Sequence, residues 1–246
     1  MSNSSKTVLI TGGARRIGNV TARTLHNHGF NVMVHYRSSA ADANALVDEL
    51  NSIRADSAAS TQCDLLDINC IPGVVESTID TFGRLDCLIN NASTFYPTPI
   101  ELIENDFWVD LKGSNLKAPT FMVKSAAKYL RESNGCIINI VDIYARTPLS
   151  DHPIYCSAKA GLEMLTKSLA RDLAPEVRVN GISPGAILWP EHETHTLNQE
   201  ELLKKIPMQR MGTPEDIANT ARFLIQDASY ITGQIIAVDG GRSVVI

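Results

Sequence analysis

The chain has 246 residues and a formal net charge of −5, a length that favours one α/β domain with one large core. The acidic balance argues against nucleic-acid and anionic-membrane partners, because both usually need a basic patch. No apolar run approaches the roughly 20 residues that span a bilayer, and residues 1–6 lack a charged-then-apolar signal. The five cysteines have no zinc-like spacing, which predicts free thiols in a reducing cytoplasm.

Short apolar runs alternate with helical patterns along the whole chain. Strands are predicted at residues 7–10, 32–35, 58–62, 85–90, 136–141, 177–182 and 235–238. Helices are predicted between them at residues 19–27, 42–53, 67–82, 106–130, 154–173 and 214–226. This alternation predicts a doubly wound parallel sheet with helices on both faces, in a single domain over residues 1–246. The irregular stretch from residue 183, continuing to about 205, predicts a substrate loop.

The first predicted strand leads into a glycine-rich turn, TGGARRIG over residues 11–18, and then into a helix. This strand–turn–helix context is typical of a phosphate-binding turn. Gly12 allows a tight turn, Gly18 allows the helix to pack closely, and the helix N-terminus offers N–H groups to a pyrophosphate. The turn therefore predicts a bound dinucleotide.

The end of the second strand indicates which dinucleotide is bound. NAD-specific proteins usually carry an Asp or Glu about 20 residues beyond the glycines, bonded to the ribose 2′-hydroxyl. Here the strand ends in Tyr36, Arg37 and Ser38, and no carboxylate occurs until Asp42. A carboxylate would repel a 2′-phosphate, whereas Arg37 and Ser38 would bind it, so the sequence predicts NADPH.

Tyr155 and Lys159 are four residues apart in a predicted helix, so their side chains share one face. A free tyrosine titrates near about 10, too high for efficient acid–base work at neutral pH. A nearby ammonium favours the phenolate. The pair therefore predicts an acid–base tyrosine whose pKa is lowered by Lys159.

The glycine turn and the Tyr–Lys pair, with the segments 90–92, 179–185 and 238–241, resemble the short-chain dehydrogenase/reductase family in the family's order. The resemblance implies a Rossmann-like fold and a homotetramer. It also implies that Lys159 holds the nicotinamide ribose, that Asn115 supports a proton-relay water and that Asp64 contacts the adenine. Spacing and resemblance together predict these cofactor-binding residues: Gly12, Arg16, Ile17, Tyr36, Arg37, Ser38, Asp64, Asn91, Ala92, Ser93, Tyr155, Lys159, Pro184 and Gly185.

Two positions depart from the family pattern. Arg16 stands where the middle glycine of the turn is expected, and its guanidinium could bind phosphate in a bidentate manner and reach the substrate.

Asp142 stands where the family has a serine that donates to a substrate carbonyl. A carboxylate about 4 Å from a developing alkoxide would oppose ketone reduction by about 4 kcal/mol at an effective dielectric of about 20, roughly a thousandfold in rate. Reduction of a C=N bond builds no alkoxide, and Asp142 could then recharge Tyr155 with a proton. The alternative for Asp142 is a structural cap at the strand end.

Asp142 with Tyr155 and Lys159 resembles the pteridine reductase subfamily, as does the segment 91–99. By this resemblance Phe95 stacks on the pterin and Ser93 bonds the pterin or the cofactor. A flat heteroaromatic ring suits an aromatic face. Phe95 taken alone reads as a core residue, and Trp189 either walls the pocket or packs structurally.

The predicted function is NADPH-dependent reduction of dihydropterins, with dihydrofolate as a further candidate substrate. Hydride goes to a ring carbon, and Tyr155, supported by Asp142, Lys159 and Asn115, protonates the adjacent nitrogen. The predicted substrate-binding residues are Arg16, Ser93, Phe95, Asp142, Tyr155 and Trp189. Two alternatives stay open: a carbonyl reductase of 3-oxoacyl or sugar substrates, and a catalytically silent NADPH-binding regulator.

Overall fold

A computed structural model describes residues 5–187 and 199–245. Its centre is a seven-stranded sheet in which every neighbouring pair is parallel. The strands are β1 (Thr7–Ile10), β2 (Asn31–Tyr36), β3 (Ala58–Gln62), β4 (Cys87–Asn90), β5 (Cys136–Ile140), β6 (Arg178–Pro184) and β7 (Ile235–Val238). They lie in the order β3-β2-β1-β4-β5-β6-β7, which confirms the predicted doubly wound, Rossmann-like fold.

Helices connect the strands and cover both faces of the sheet. They are α1 (Arg16–Asn27), α2 (Ala40–Ile53), α3 (Ile71–Phe82), α4 (Asn105–Lys112), α5 (Ala118–Glu132), α6 (Pro153–Asp172), α7 (Gln199–Lys204) and α8 (Pro214–Gln226). Short 3₁₀ turns occur at Ile100–Leu102, Ile143–Ala145 and Arg242–Val244. Within the described ranges, no helix is both long and apolar enough to cross a membrane.

The core has two halves, one on each face of the sheet. Val8 and Ile10 of β1 pack on one face with α1, α2 and α8, and Leu9 packs on the other face with α3 and α5. Successive residues of a strand point to opposite faces, so a strand buried on both faces is apolar throughout. The apolar run at residues 8–10 of β1 follows from this double burial.

The switch in strand order places the predicted turn at a crevice. β1 pairs with β2 on one side and with β4 on the other, so the connections leaving β1 and β4 run in opposite directions. Ligands of open α/β sheets bind outside the carboxyl ends of the strands at such a point. The glycine turn and the segment after β4 both begin there.

Two predictions about the region after β3 are wrong. The helix predicted from residue 67 begins at Ile71, because Asp64 and Asp67 accept backbone N–H groups two residues on and fold residues 64–70 into turns. These turns bring Cys70 back to Cys63 with a Cα–Cα distance of 6.1 Å, and the two cysteines form a disulfide instead of free thiols. Cys87, Cys136 and Cys156 are free, as predicted.

The helix predicted over residues 106–130 is also divided. A π-helical segment, Gly113–Lys117, joins α4 to α5. Pro119 in the first turn of α5 has no N–H to donate to the carbonyl of Asn115, which favours the wider turn. Single π turns in helices occur frequently at functional sites, and this one contains Asn115.

Candidate active site

The glycine turn after β1 has the close contacts that the sequence predicts. Gly12 has a φ of +60°, and a Cβ on it would lie 3.0 Å from the Cα of Ala92. A Cβ on Gly18 would lie 2.3 Å from the carbonyl oxygen of Gly12. Gly18 therefore allows α1 to pack closely against the turn itself.

Arg16 and Ile17 begin α1 at the mouth of this turn. Arg16 is exposed and has a φ of +52°, the left-handed region that the glycine usual at this position adopts freely. Ile17 is half-buried against the core. The residue before the helix, Arg15, makes no side-chain cap, so its side chain does not cover the N-terminal end of α1, which attracts anions. The turn thus fits the pyrophosphate of a dinucleotide.

The segment after β4 supports the turn from the other side. The Asn91 side chain donates to the carbonyl oxygens of Thr11 and Gly12 at 2.9 and 3.0 Å. The Ala92 N–H donates to the Thr11 hydroxyl at 3.0 Å. Both predicted cofactor residues therefore shape the phosphate-binding turn.

The residues predicted for the 2′-phosphate and the adenine lie at the ends of β2 and β3. Arg37 and Ser38 are exposed, and Tyr36 is half-buried. Asp64 is exposed and accepts the Leu66 N–H at 3.1 Å. Asp42, the first carboxylate after β2, pairs with Arg15 at 2.8 Å. The exposed end of β2 thus offers a cation and a hydroxyl.

At the far side of the crevice, Pro184 belongs to β6, so the strand extends two residues past its predicted end. A Cβ on Gly185 would lie 2.6 Å from the Cβ of Asp239. Residues 188–198 of the predicted substrate loop, Trp189 among them, lie outside the described residues, and α7 forms half of the remainder.

Asp142 and Tyr155 form the centre of the site. The Tyr155 hydroxyl donates to Asp142 Oδ2 at 2.7 Å, and the Tyr144 N–H donates to Asp142 Oδ1 at 2.9 Å. Asp142 is therefore both the partner of Tyr155 and a cap of the 3₁₀ turn after β5. Burial raises the pKa of the Asp142 carboxyl, against the two hydrogen bonds and the charges of Lys159 and Arg242, which lower it.

Lys159 is buried one helical turn after Tyr155. Its ammonium donates to the Ile140 carbonyl at 2.9 Å and lies 5.7 Å from the centre of the Tyr155 ring. Burial lowers the pKa of Lys159 to about 8, while Asp142 raises it.

The predicted lowering of the Tyr155 pKa by Lys159 is wrong for this structure. Burial, followed by the charge and hydrogen bond of Asp142, raises the pKa of Tyr155 well above its ordinary value, although Ser93 lowers it. A phenol that is buried and donates to a carboxylate retains its proton. Tyr155 therefore carries its proton and donates it in the hydrogen bond to Asp142.

Asn115 and Ser93 lie beside this centre. Asn115 is fully buried in the π segment, where its amide donates to the carbonyls of Thr94 and Leu111 at 2.9 and 3.0 Å. The Ser93 hydroxyl donates to Asn115 Oδ1 at 2.6 Å. The structure thus joins Asn115 to the segment that carries Ser93 and Phe95.

Phe95 is an exposed aromatic surface of the site, with 42% of its area accessible. One face stacks on His152 with ring centroids 4.7 Å apart, and Tyr155 meets it at 4.8 Å in a T-shaped contact. Phe95 is therefore not a core residue. His152 was not predicted; its place three residues before Tyr155, at the start of α6, was the available signal.

Tyr144 and Arg242 also reach the site without having been predicted. Arg242 donates to the Tyr144 hydroxyl at 2.9 Å, and its guanidinium lies 5.6 Å from the centre of the Tyr144 ring. The two residues are 98 apart in sequence, so no local pattern indicates the contact.

The lowered pKa of Lys159 predicts that the free energy of unfolding depends on pH. Its pKa is about 8 in the folded protein and about 10.4 in an unfolded chain, so between these values the unfolded chain binds more protons and stability rises with pH. Relative to Lys159→Met, the wild type should gain about 2 kcal/mol in free energy of unfolding between pH 8 and pH 10. Denaturant titrations of both proteins measure the difference, and a difference that is constant with pH would contradict the depressed pKa.

Comparisons with known proteins give relatives that match almost the whole chain. A family profile described as "Enoyl-(Acyl carrier protein) reductase" matches residues 12–243. Pteridine reductase 1 of Leishmania tarentolae is 36% identical over 278 residues, covering 96% of this chain and 95% of that protein. The 3-oxoacyl-[acyl-carrier-protein] reductase FabG of Staphylococcus aureus is 36% identical over 243 residues, covering 96% and 98%. The 3-oxoacyl-[acyl-carrier-protein] reductase of Synechocystis is 35% identical over 241 residues, covering 96% of each chain.

Proposed function

The chain belongs to the short-chain dehydrogenase/reductase family of oxidoreductases, and on that premise we propose that it reduces pterins with NADPH. The substrates proposed are dihydropterins and dihydrofolate. The observation that carries the proposal is the hydrogen bond of 2.7 Å from Tyr155 to Asp142, a carboxylate in the position where the family usually has a serine hydroxyl.

Asp142 and Tyr155 together can deliver a proton to a ring nitrogen. When bound, the reduced nicotinamide supplies a hydride. The Tyr155 O–H turns from Asp142 to the substrate nitrogen and gives up its proton there, while Asp142 stays ionised. Asp142 then takes a proton from solvent and passes it to the tyrosine oxygen, which restores the phenol. The raised pKa of Tyr155 keeps the phenol protonated at the start, and the raised pKa of Asp142 favours its uptake of the proton.

Lys159 and Asn115 have supporting roles in the proposed reaction. The buried Lys159 ammonium lies beside the phenol, where it stabilises negative charge on the tyrosine oxygen as the proton leaves. Its other proposed role is to hold the nicotinamide ribose. Asn115, through its contact with Ser93, holds the polar side of the site and would support a water that returns protons.

Phe95 provides the proposed stacking surface for the pterin. His152 covers one face of the ring, so the exposed area lies on the remaining surface. Aromatic rings attract flat heteroaromatic ligands in offset stacks. Ser93 and Arg16 are proposed to bind polar atoms of the pterin or the cofactor.

Phe95→Ala should raise KM for the pterin while the Kd for NADPH changes little. Stacking contributes about 0.5–1.5 kcal/mol beyond burial, equivalent to a rise of about two- to twelvefold. Phe223→Ala is the matched control, because Phe223 on α8 is 40% exposed and lies far along the chain from the site. If both substitutions raised KM equally, Phe95 would not be part of the pterin site.

Arg37→Asp should weaken NADPH binding sharply with little loss for NADH. The exposed guanidinium at the end of β2 is proposed to pair with the 2′-phosphate, and a carboxylate there would repel it. Arg131→Asp makes the same charge change at the exposed end of α5 and should alter neither affinity. Equal affinity of the wild type for NADPH and NADH would contradict the assignment.

Reduction of 3-oxoacyl substrates is the second candidate, because two 3-oxoacyl reductases match the chain as well as the pteridine reductase does. Asp142 opposes it, since its carboxylate disfavours a developing alkoxide. A silent NADPH-binding regulator is the third candidate, and the assembled Asp142–Tyr155–Lys159 cluster argues against it.

An NADPH-oxidation panel separates the three candidates. It contains an oxidised pterin, a dihydropterin, dihydrofolate and a 3-oxoacyl thioester, with each product identified by mass spectrometry. We expect turnover of the dihydropterin to the tetrahydropterin. Turnover of the thioester alone would indicate a carbonyl reductase, and NADPH binding without turnover would indicate a regulator.

A homotetramer and a cytoplasmic location are further parts of the proposal, tested by light scattering and by cell fractionation.

A further inference from the structure

His35, on β2, is buried and uses both of its ring nitrogens. The Gly12 N–H donates to Nδ1 at 3.2 Å, and Nε2 lies 3.0 Å from the carbonyl oxygen of Cys63. A backbone N–H can only donate and a carbonyl can only accept, so Nδ1 must be bare and Nε2 must carry the hydrogen. These contacts therefore require the neutral Nε2–H form of the imidazole.

Outside the strand ladder, His35 bonds Gly12, Gly13 and Cys63, which belong to the proposed cofactor site or border it. Gly12 and Gly13 form the phosphate-binding turn, and the Gly13 N–H donates to the His35 carbonyl at 2.9 Å. Cys63 immediately precedes Asp64, the residue predicted to contact the adenine. His35 thus connects the turn after β1 to the turn after β3.

The turn is held from two opposite directions. Asn91 binds its carbonyl groups at Thr11 and Gly12, as described above, while His35 binds the N–H groups of Gly12 and Gly13. Loss of the imidazole would leave the Gly12 N–H without its acceptor and remove one of the contacts that fix the orientation of the turn.

We propose that His35 is a positioning residue of the cofactor site, which orients the phosphate-binding turn by accepting the Gly12 N–H at Nδ1 while Nε2–H is anchored to Cys63. The inference depends on the proposed function only in that a dinucleotide binds at this turn; it does not depend on the pterin. Burial lowers the pKa of His35, against the Cys63 carbonyl and Asp64, which raise it, and this keeps the required neutral form.

Substitutions at His35 separate the two ring contacts. Asparagine carries its amide oxygen near the position of Nδ1, so His35→Asn retains an acceptor for Gly12. Glutamine reaches toward Cys63 with its amide nitrogen and loses that acceptor, and leucine loses both contacts. The Kd for NADPH, measured by cofactor fluorescence on the full chain, should rise about tenfold or more for His35→Gln and His35→Leu and less than about threefold for His35→Asn.

His26 provides a matched control. It is also a buried histidine with a lowered pKa, caused by burial and then Arg54, but it bonds the Ser57 hydroxyl at 2.7 Å, away from the turn. His26→Leu should lower Tm and leave the Kd for NADPH unchanged. If the Kd followed the loss of Tm across all four variants, His35 would be an ordinary core histidine and the proposal would be overturned.

The tautomer gives a second test that needs no cofactor. The ¹⁵N chemical shifts of the His35 ring at pH 7 should show a protonated Nε2 and a bare Nδ1. A protonated Nδ1 would overturn the proposal whatever the Kd values are. Failure of the wild type to bind NADPH would instead overturn the proposed function, while the ¹⁵N result would still decide the contacts of His35.

Discussion

Asp142→Ala is expected to lower kcat for dihydropterin reduction by about 10²–10⁴-fold, the usual contribution of a general acid–base group. The fold and the NADPH affinity should remain, because Asp142 lies after β5, away from the phosphate-binding turn. The reason for the loss is that Tyr155 would have no neighbouring carboxyl to replace the proton it gives to the substrate. Steady-state kinetics with saturating NADPH measure the effect.

Asp142→Asn and Asp142→Ser separate the proton relay from the structural cap. Asparagine retains an oxygen to accept the Tyr144 N–H but cannot store a proton, so kcat should fall as it does in the alanine variant while Tm falls less. Serine restores the hydroxyl usual in the family. It should not recover pterin turnover, and it should allow some ketone reduction, because the repulsion of an alkoxide is removed. Wild-type pterin rates in Asp142→Ser across the pH profile would show that Asp142 is not the relay.

Tyr155→Phe should reduce kcat for the dihydropterin by a similar 10²–10⁴-fold, since it removes the proton donor itself. The ring and its T-shaped contact with Phe95 are retained, so KM for the pterin should change little. Tyr96→Phe is the matched control: it also removes a tyrosine hydroxyl that donates to a carboxylate, at 3.0 Å from Asp110. Its kcat should stay within about twofold of the wild type.

The two substitutions should also be non-additive, because residues that act as a unit lose their function together. The double variant Asp142→Ala/Tyr155→Phe should be no slower than Tyr155→Phe alone. Rate losses that multiply would mean that Asp142 acts on the substrate independently of the tyrosine.

The sequence was most informative where one physical signal dominates. The predicted bounds of β1, β3 and β7 are those observed, and short β-branched and apolar runs define β1 and β7. The Tyr–Lys spacing and the glycine turn predict two parts of the candidate site, and both predictions rest on local patterns of the same kind. Asp142 could be singled out from the sequence because the family usually has a serine at this position.

Features set by tertiary contacts were missed or wrongly predicted. The start of α3 depends on side-chain turns at Asp64 and Asp67, which compete with the helix. The direction of the Tyr155 pKa depends on burial and on the Asp142 contact, neither of which the Tyr–Lys spacing contains. The roles of His35 and His152 depend on neighbours that the fold brings together.

The ratio of kcat/KM for a dihydropterin to that for a 3-oxoacyl thioester, measured with NADPH on the same preparation, tests the central claim most directly. The repulsion of about 4 kcal/mol between Asp142 and an alkoxide predicts a preference for the dihydropterin of roughly a thousandfold. A thioester reduced as well as the dihydropterin, or better, would contradict the assignment of this site to pterins.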